Sequence, residues 1–337
     1  SGINTHPKVV AAAIDAFTDA GAEVAIGESP ITGVKTLEAF QVSGITEVAK
    51  KRNCALIDMD ERKPVMLPIP DGKAINELKV CADVFDYDIV VSIPVMKMHM
   101  HTGVTLAIKN MKGCLWRRSK IDLHMLPAIE GEKYKSLDIA IADMSSVLRP
   151  HLSLIDGTIC MEGLGPSAGN VKELNVMVLS SDAFAADTVA CSLMGVDAAT
   201  IPHLKIASER KYGSINLNDF QIYPENWLEF SDTFKSAPEN IAIDFPNVKV
   251  LDKNSCSACQ STVLLFLKRY GDVLFDYFPK DEVLNIAIGK GHDSLPEKTL
   301  CIGNCTFKHK DRGIYISGCP PVGSAIMNAI KEHKKKD

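Results

Sequence analysis

The sequence has no apolar run near the roughly eighteen residues that a membrane-crossing helix needs, and its start, "SGINTHPKVV", has no basic-then-apolar signal segment. Neither a membrane partner nor secretion is expected, and the predicted location is the cytoplasm. A basic excess is also lacking. Lys and Arg number 37 against 42 Asp and Glu, a formal charge of −5, which excludes the general polyanion-binding classes and with them a nucleic-acid partner. No internal repeat is found. The chain begins almost directly on a helix, so a strand that would precede it is expected to lie outside the sequence.

What is present is a chain of 337 residues with 46% hydrophobic content, enough for two ordinary domains with a large core. Helical periodicity in "THPKVVAAAIDAFTDAGA", with Thr5 as the predicted N-cap and Gly21 as the stop, is followed by the short strand "EVAIGES". "GITEVAKKR", "TLAIKNMKG", "SLDIAIADMSSVL" and "DAFAADTVACSLMG" read as further helices, the last capped by Asp182. "ALIDMD", "DIVVSIPV", "LSLID" and "ELNVMVLSS" read as strands. Apolar strands alternating with helices predict an α/β fold with a mostly parallel sheet covered by helices. A proline-rich change of composition over 224–246 divides it from a second, smaller α/β unit, giving expected domains of 1–225 and 226–337. The final "KEHKKKD" reads as a solvated helix end.

One stretch runs against the overall acidity. Between Lys97 and His124 stand Lys97, His99, His101, Lys109, Lys112, Arg117, Arg118, Lys120 and His124, against the single acid Asp122. Lys97 and His99 are predicted just past a strand's carboxyl end, where ligands bind in open α/β sheets. Thr102 and Thr105 are expected to cap a helix whose face carries Lys109 and Lys112, with Asn110 beside them. An anionic small molecule, a phosphate or carboxylate, is the expected ligand, with His99 or His124 exchanging protons. The alternative is an ordinary solvated lysine helix. Downstream, Asp156 and Glu162 in the glycine-rich "IDGTICMEGLGPSAGN" are suited to bind the substrate, hold a divalent metal or cap a turn. The spacing there is not a dinucleotide fingerprint. His6, His151, His203, His292 and His309 show no ligand spacing and are expected to be structural or exposed.

The ten cysteines divide in two. Cys54, Cys81, Cys114, Cys160 and Cys191 are scattered singly, whereas Cys256, Cys259, Cys301, Cys305 and Cys319 crowd the second unit. Cys256 and Cys259 fall where a strand hands over to a helix, and Cys305 and Cys319 follow two later strands. Carboxyl ends of parallel strands share one edge, so these thiols are expected to converge on an iron–sulfur cluster or a structural zinc. Gly303, Gly318, Pro320 and Pro321 shape the loops.

Three resemblances follow from these motifs. "CSACQSTVLLFL", "IGNCT" and "ISGCPPVGSAI", over about eighty residues, resemble the proximal-cluster domain of the [NiFe]-hydrogenase small subunit and the twenty-kilodalton subunit of respiratory complex I. That resemblance implies one [4Fe–4S] cluster on Cys256, Cys259, Cys305 and Cys319, with Cys301 as the spare. The long linking segment of those subunits is lacking. "NTHPKVV", "DIVVSIPVMKMHMHTGVTLAIKNMKG", His124, "LSLIDGTICMEGLGPSAGN" and "SSDAFAADTVACSLMG" together resemble the domain of unknown function 362 family over about residues 1–222. That family occurs in anaerobic bacteria and archaea, often joined to iron–sulfur modules. The order His99, Gly103, Lys109, Gly113, His124 is similar to the lactate racemase family, where such positions serve a nickel pincer cofactor. Asn110 and the lack of a Gly-Gly pair before the lysine depart from that pattern. What carries over is the expectation that His99, Lys109 and His124 share one pocket.

The combined expectation is an iron–sulfur oxidoreductase acting on an anionic small molecule, with a redox partner protein. The alternatives are a non-redox isomerase or racemase of a hydroxy acid or similar carboxylate, and a non-catalytic electron carrier or structural zinc protein.

Overall fold

A computed structural model describes residues 2–31, 34–237 and 245–335, which fall into two compact units, Ser1–Glu239 and Asn240–Asp337. The proline-rich stretch after residue 225 packs with the first unit. Phe234 joins its core, and the amides of Asp232 and Phe234 donate to the carbonyls of Leu193 and Met194 at 2.9 and 3.0 Å. Residues 238–244 of the expected boundary segment, and Lys336 and Asp337 of the expected helix end, lie outside the described residues.

The first unit opens with α1 (Pro7–Asp19), β1 (Ala25–Glu28), α2 (Thr36–Val42), α3 (Ile45–Arg52) and β2 (Ala55–Asp58), β1 and β2 pairing in parallel. His6, rather than Thr5, caps α1: its Nδ1 accepts from the amide of Lys8 at 3.2 Å, while the Thr5 hydroxyl donates to the carbonyl of Ile93. A hairpin that the sequence reading did not anticipate follows, β3 (Val65–Pro68) with β4 (Glu77–Val80). The central elements are β5 (Val91–Ser92), β6 (Val95–His99), β7 (Gly103–Thr105), α4 (Ala107–Asn110), α5 (Ser119–Asp122), α6 (Ser136–Ser145), β8 (Leu152–Glu162), β9 (Asn170–Ser180), α7 (Ala183–Leu193) and α8 (Pro202–Glu209).

The fold class is α/β, but the five-stranded sheet of this unit is mixed. β8 pairs in parallel with β5 and β6, while β7 and β9 run antiparallel to β6 and β8. Short turns reverse the chain after β6 and β8, which leaves no room for the crossover helix that a parallel neighbour requires. α6 and α7 are buried along nearly their whole length. They form the core with Met96, Met98, Leu106, Ile108 and Ile155.

The second unit is a fully parallel sheet in the order β10 (Val248–Asp252), β11 (Leu284–Ile288), β12 (Thr299–Ile302), β13 (Gly313–Ile316). It packs with α9 (Ser257–Leu274) and α10 (Gly323–Lys334) through Val263, Phe266, Leu267, Ile326 and Ile330. All four strands run parallel, so every strand's carboxyl end lies on one edge.

Candidate functional sites

The amines and imidazoles of the basic stretch are drawn inward, not spread on a solvated helix. β6 is buried at all five positions and runs through Lys97 and His99, so both sit within the strand and not beyond its end. Lys97 Nζ donates to the carbonyl of Ile3 at 2.7 Å. His99 Nδ1 accepts the amides of His101 and Thr102 at 3.1 and 3.3 Å. Because that nitrogen accepts, a neutral His99 carries its proton on Nε2 and donates from there. The His101 ring stands 5.9 Å from that of His99 and 6.3 Å from that of His124, linking the three imidazoles.

α4 is a single turn, followed by a 3-10 turn over Met111–Cys114. Lys109 therefore lies in the first and Lys112 in the second. Lys109 Nζ reaches Thr105 Oγ1 at 3.1 Å, Lys112 Nζ meets His124 Nε2, and Asn110 Nδ2 donates to Ser92 Oγ at 2.9 Å. Neither Thr102 nor Thr105 caps α4. Asp187 of α7 does so from eighty residues away, accepting the amides of Ala107 and Ile108 at 2.6 and 3.1 Å. A carboxylate thus already occupies the helix N-terminus where an anion was expected.

Protein encloses these amines without neutralising them. Burial lowers Lys97 to about 8 and, aided by Lys97 and opposed by Asp138, lowers Lys109 to about 7. Burial, then Lys109 and Lys120, pushes Lys112 well down; burial and the neighbouring cations hold His99 and His124 far below the ordinary imidazole range. Lys109, Lys112 and His124 nevertheless keep some exposed surface. These side chains are crowded by protein on most sides and touched by solvent on the remainder. An entering anion would meet several poorly solvated N–H donors.

Asp156 and Glu162 do not join this cluster through any contact seen. Asp156 accepts the amides of His6 and Thr158, both at 3.0 Å, and the Thr158 hydroxyl at 2.6 Å, which ties the segment before α1 to β8. Glu162 accepts the Lys235 amide at 3.0 Å and lies 4.0 Å from Lys172 Nζ. Both have the partners of structural caps, one of the readings open for them. Asp138, which the sequence analysis leaves unmentioned, and His203, expected to be structural or exposed, are by contrast two buried groups whose charges interact with Lys109. The available signal was a pair of aspartates, Asp138 and Asp143, inside the largely apolar "SLDIAIADM".

In the second unit, three carboxyl-end loops bring four thiols together. Cys256 caps α9, and Cys259 lies in its first turn. Cys305 follows Gly303 in the loop after β12, and Cys319 follows Gly318 after β13. The Cys259 thiol is influenced by Cys256, Cys305 and Cys319 alike. A Cβ on Gly303 would stand 3.7 Å from Cys259 Sγ, and Gly303 holds φ 90°, a conformation that glycine adopts without strain. The neighbouring Cys259 thiol and then the backbone of the first turn bring the Cys256 thiol down to about 6 despite partial burial, although its sulfur makes no capping hydrogen bond to the helix. Thiolate is the ligating form. Cys301 faces elsewhere: fully buried in β12, it donates to the carbonyl of His309 at 3.4 Å.

Among the described residues, no three His, Cys, Asp or Glu side chains stand close enough to hold a metal ion. Four thiols on three loops at one sheet edge are a donor set that either a [4Fe–4S] cluster or a structural zinc ion takes.

The comparisons address the first unit. The domain of unknown function DUF362 family matches residues 1–192. This chain belongs to the DUF362 family. A "Thylakoid-associated protein sll1697" from Synechocystis sp. is 27% identical over 206 residues, covering 61% of this chain and 61% of that protein. The DUF362 chain thus spans about three fifths of that relative's length. No solved structure matches at a significant level. Among the described residues, no helix is long and apolar enough to cross a membrane.

Proposed function

We propose that this DUF362 chain is an iron–sulfur oxidoreductase acting on a small anionic molecule. The placement of Cys256, Cys259, Cys305 and Cys319 on three carboxyl-end loops of one parallel sheet is the observation that carries the reading. A [4Fe–4S] cluster on these four residues supplies single electrons when bound. Asn304, joining the Cys305 and Cys319 loops, holds two of the ligands in register.

Lys97, Lys109 and Lys112 hold the substrate's carboxylate or phosphate, and the anion's arrival restores the charge that burial suppresses in their amines. His99, with Nδ1 fixed by backbone amides, presents Nε2–H as a donor to the substrate. Lys112 and His124, joined nitrogen to nitrogen, share one proton and can pass it to a substrate atom that gains electrons. The physiological redox partner is a further protein able to exchange electrons with the cluster.

Protein purified without oxygen tests this reading. About four iron and four sulfide per chain are expected, together with binding of oxalate or inorganic phosphate as probe anions. Lys109→Met should keep the iron and lose the probe. One zinc with no iron overturns the proposal.

A second reading, a non-redox isomerase of a hydroxy acid, draws on one observation: an amine titrating near neutrality beside a neutral imidazole can move protons without electrons. Exchange of a hydroxy acid C–H in deuterated buffer, with no electron donor, would favour it.

A further inference from the structure

Behind the amine cluster stand two buried acid–base groups that the proposed chemistry leaves unused. Asp138 lies in the first turn of α6 and His203 in the first turn of α8. α6 packs against α4, which carries Lys109, and against α8. The two residues are only 2% and 1% exposed, yet Asp138 Oδ1 and both ring nitrogens of His203 have no hydrogen-bond partner. Buried polar atoms are nearly always paired.

Two other buried aspartates of this unit, Asp143 and Asp187, show what a structural role looks like. Asp143 accepts the amides of Lys73, Ala74 and Ile75 and an N–H of Arg210, and Asp187 accepts two amides of α4. Asp138 has no such arrangement around Oδ1. Lys109 is the amine whose charge acts on both Asp138 and His203, Asp138 feeling Lys135 as well. Three orphaned atoms about one lysine mark a place where a hydroxyl, of water or of a substrate, finds both acceptors and a donor.

We infer that Asp138 and His203 are positioning residues that govern the proton on Lys109. The Lys109 N–H bond breaks and an Asp138 O–H bond forms, across a bound hydroxyl. The ammonium becomes an amine, the carboxylate becomes a carboxyl group, and total charge is unchanged. The new O–H is then offered to a His203 ring nitrogen. This rests on Lys109 belonging to the anion-binding amine cluster of the proposed function.

The proton affinities that burial gives these groups agree with that geometry. Burial raises the Asp138 carboxyl to about 7, against the attraction of Lys135 and Lys109, where it meets the Lys109 amine, lowered to about 7. The two groups hold a proton with similar strength. His203 is pushed down to about 3 by burial and by Lys109, so its ring remains neutral and able to accept. Lys97 of β6 also acts on Lys109, and Lys109 acts in turn on His99, Lys112 and His124. Asp138 is the carboxylate that acts to raise it.

Lysine labelled with 13C at the ε-carbon reads the Lys109 titration directly, in the full-length protein, from about pH 5 to about pH 10, with Lys109→Met identifying the resonance. Asp138→Asn, nearly the same shape, should lower the Lys109 midpoint by about one pH unit while the Lys97 midpoint holds. In 15N-histidine spectra the His203 nitrogens should stay neutral and shift with a midpoint near that of Lys109, a response absent from Asp138→Asn. Since Asp138→Asn can also unfold the protein, the His203 response of the wild type provides the second test. An unmoved Lys109 midpoint in folded Asp138→Asn, or a His203 that ionises like an exposed imidazole, overturns the inference. Neither readout depends on iron or on an electron donor, so its failure is distinguishable from failure of the proposed function.

Discussion

Asn304 and Gly318 are joined twice: the Asn304 amide donates to the Gly318 carbonyl at 2.8 Å, and the Gly318 amide donates to Asn304 Oδ1 at 2.8 Å. The residues next in sequence are Cys305 and Cys319. One asparagine therefore clamps the two loops whose thiols complete the cysteine set.

Replacing Asn304 by Ala removes the side-chain half of this clamp. A loss of about 1 kcal/mol is expected for the hydrogen bond, visible as a lower urea midpoint. Iron retained after aerobic gel filtration should fall further than that small change implies, because two ligands lose their register together. Unchanged iron retention argues against the clamp.

Cys301 and Cys305, four positions apart, should respond in opposite ways to substitution. Cys301 is sealed in β12 against the His309 carbonyl, whereas Cys305 is exposed beside Cys319 and Cys256. Cys301→Ala should leave iron content unchanged and cost about 1 kcal/mol of stability; Cys305→Ala should lower the iron content of the protein. Iron assay of both variants decides which thiol ligates.

Burial of amines makes a signed prediction for pH. Lys97 and Lys109 have folded values of about 8 and about 7, below their unfolded value of 10.5. The unfolded chain therefore binds more protons, and stability rises with pH between about 7 and about 8.5, the range below the ordinary thiol titration. Urea midpoints should climb across that window, and the climb should shrink in Lys97→Met and in Lys109→Met. A flat profile in the wild type contradicts the burial of these charges.

Asp187 caps α4 from α7, satisfying two amides that no local side chain reaches. Asp187→Ala leaves both buried and unpaired, at a cost of about 2–4 kcal/mol for two such groups. Asp187→Asn retains an acceptor and should recover part of that loss. Urea unfolding of the two variants checks the order.

The parts of this account legible in the sequence are those in which local pattern and tertiary role coincide. Apolar runs ending in Gly or Cys marked the strand ends of the second unit, and Asp182 capped α7 as its type and place predict. The antiparallel course of β7 and β9 was not legible, because complete burial gives β6 the same apolar look whatever its neighbours' direction. The hairpin of β3 and β4 hid behind prolines and a "PDG" turn. The cap on α4 comes from Asp187, and a partner so distant along the chain leaves no local signal. Asp138 and His203 looked like ordinary helix residues, since their isolation from hydrogen-bond partners exists only once the helices pack.

Electron paramagnetic resonance of anaerobically purified, dithionite-reduced protein tests the central claim most directly. The account predicts a signal from one reduced [4Fe–4S] cluster per chain, lost in Cys259→Ala. A silent spectrum from folded protein that holds zinc, or no metal at all, would contradict it.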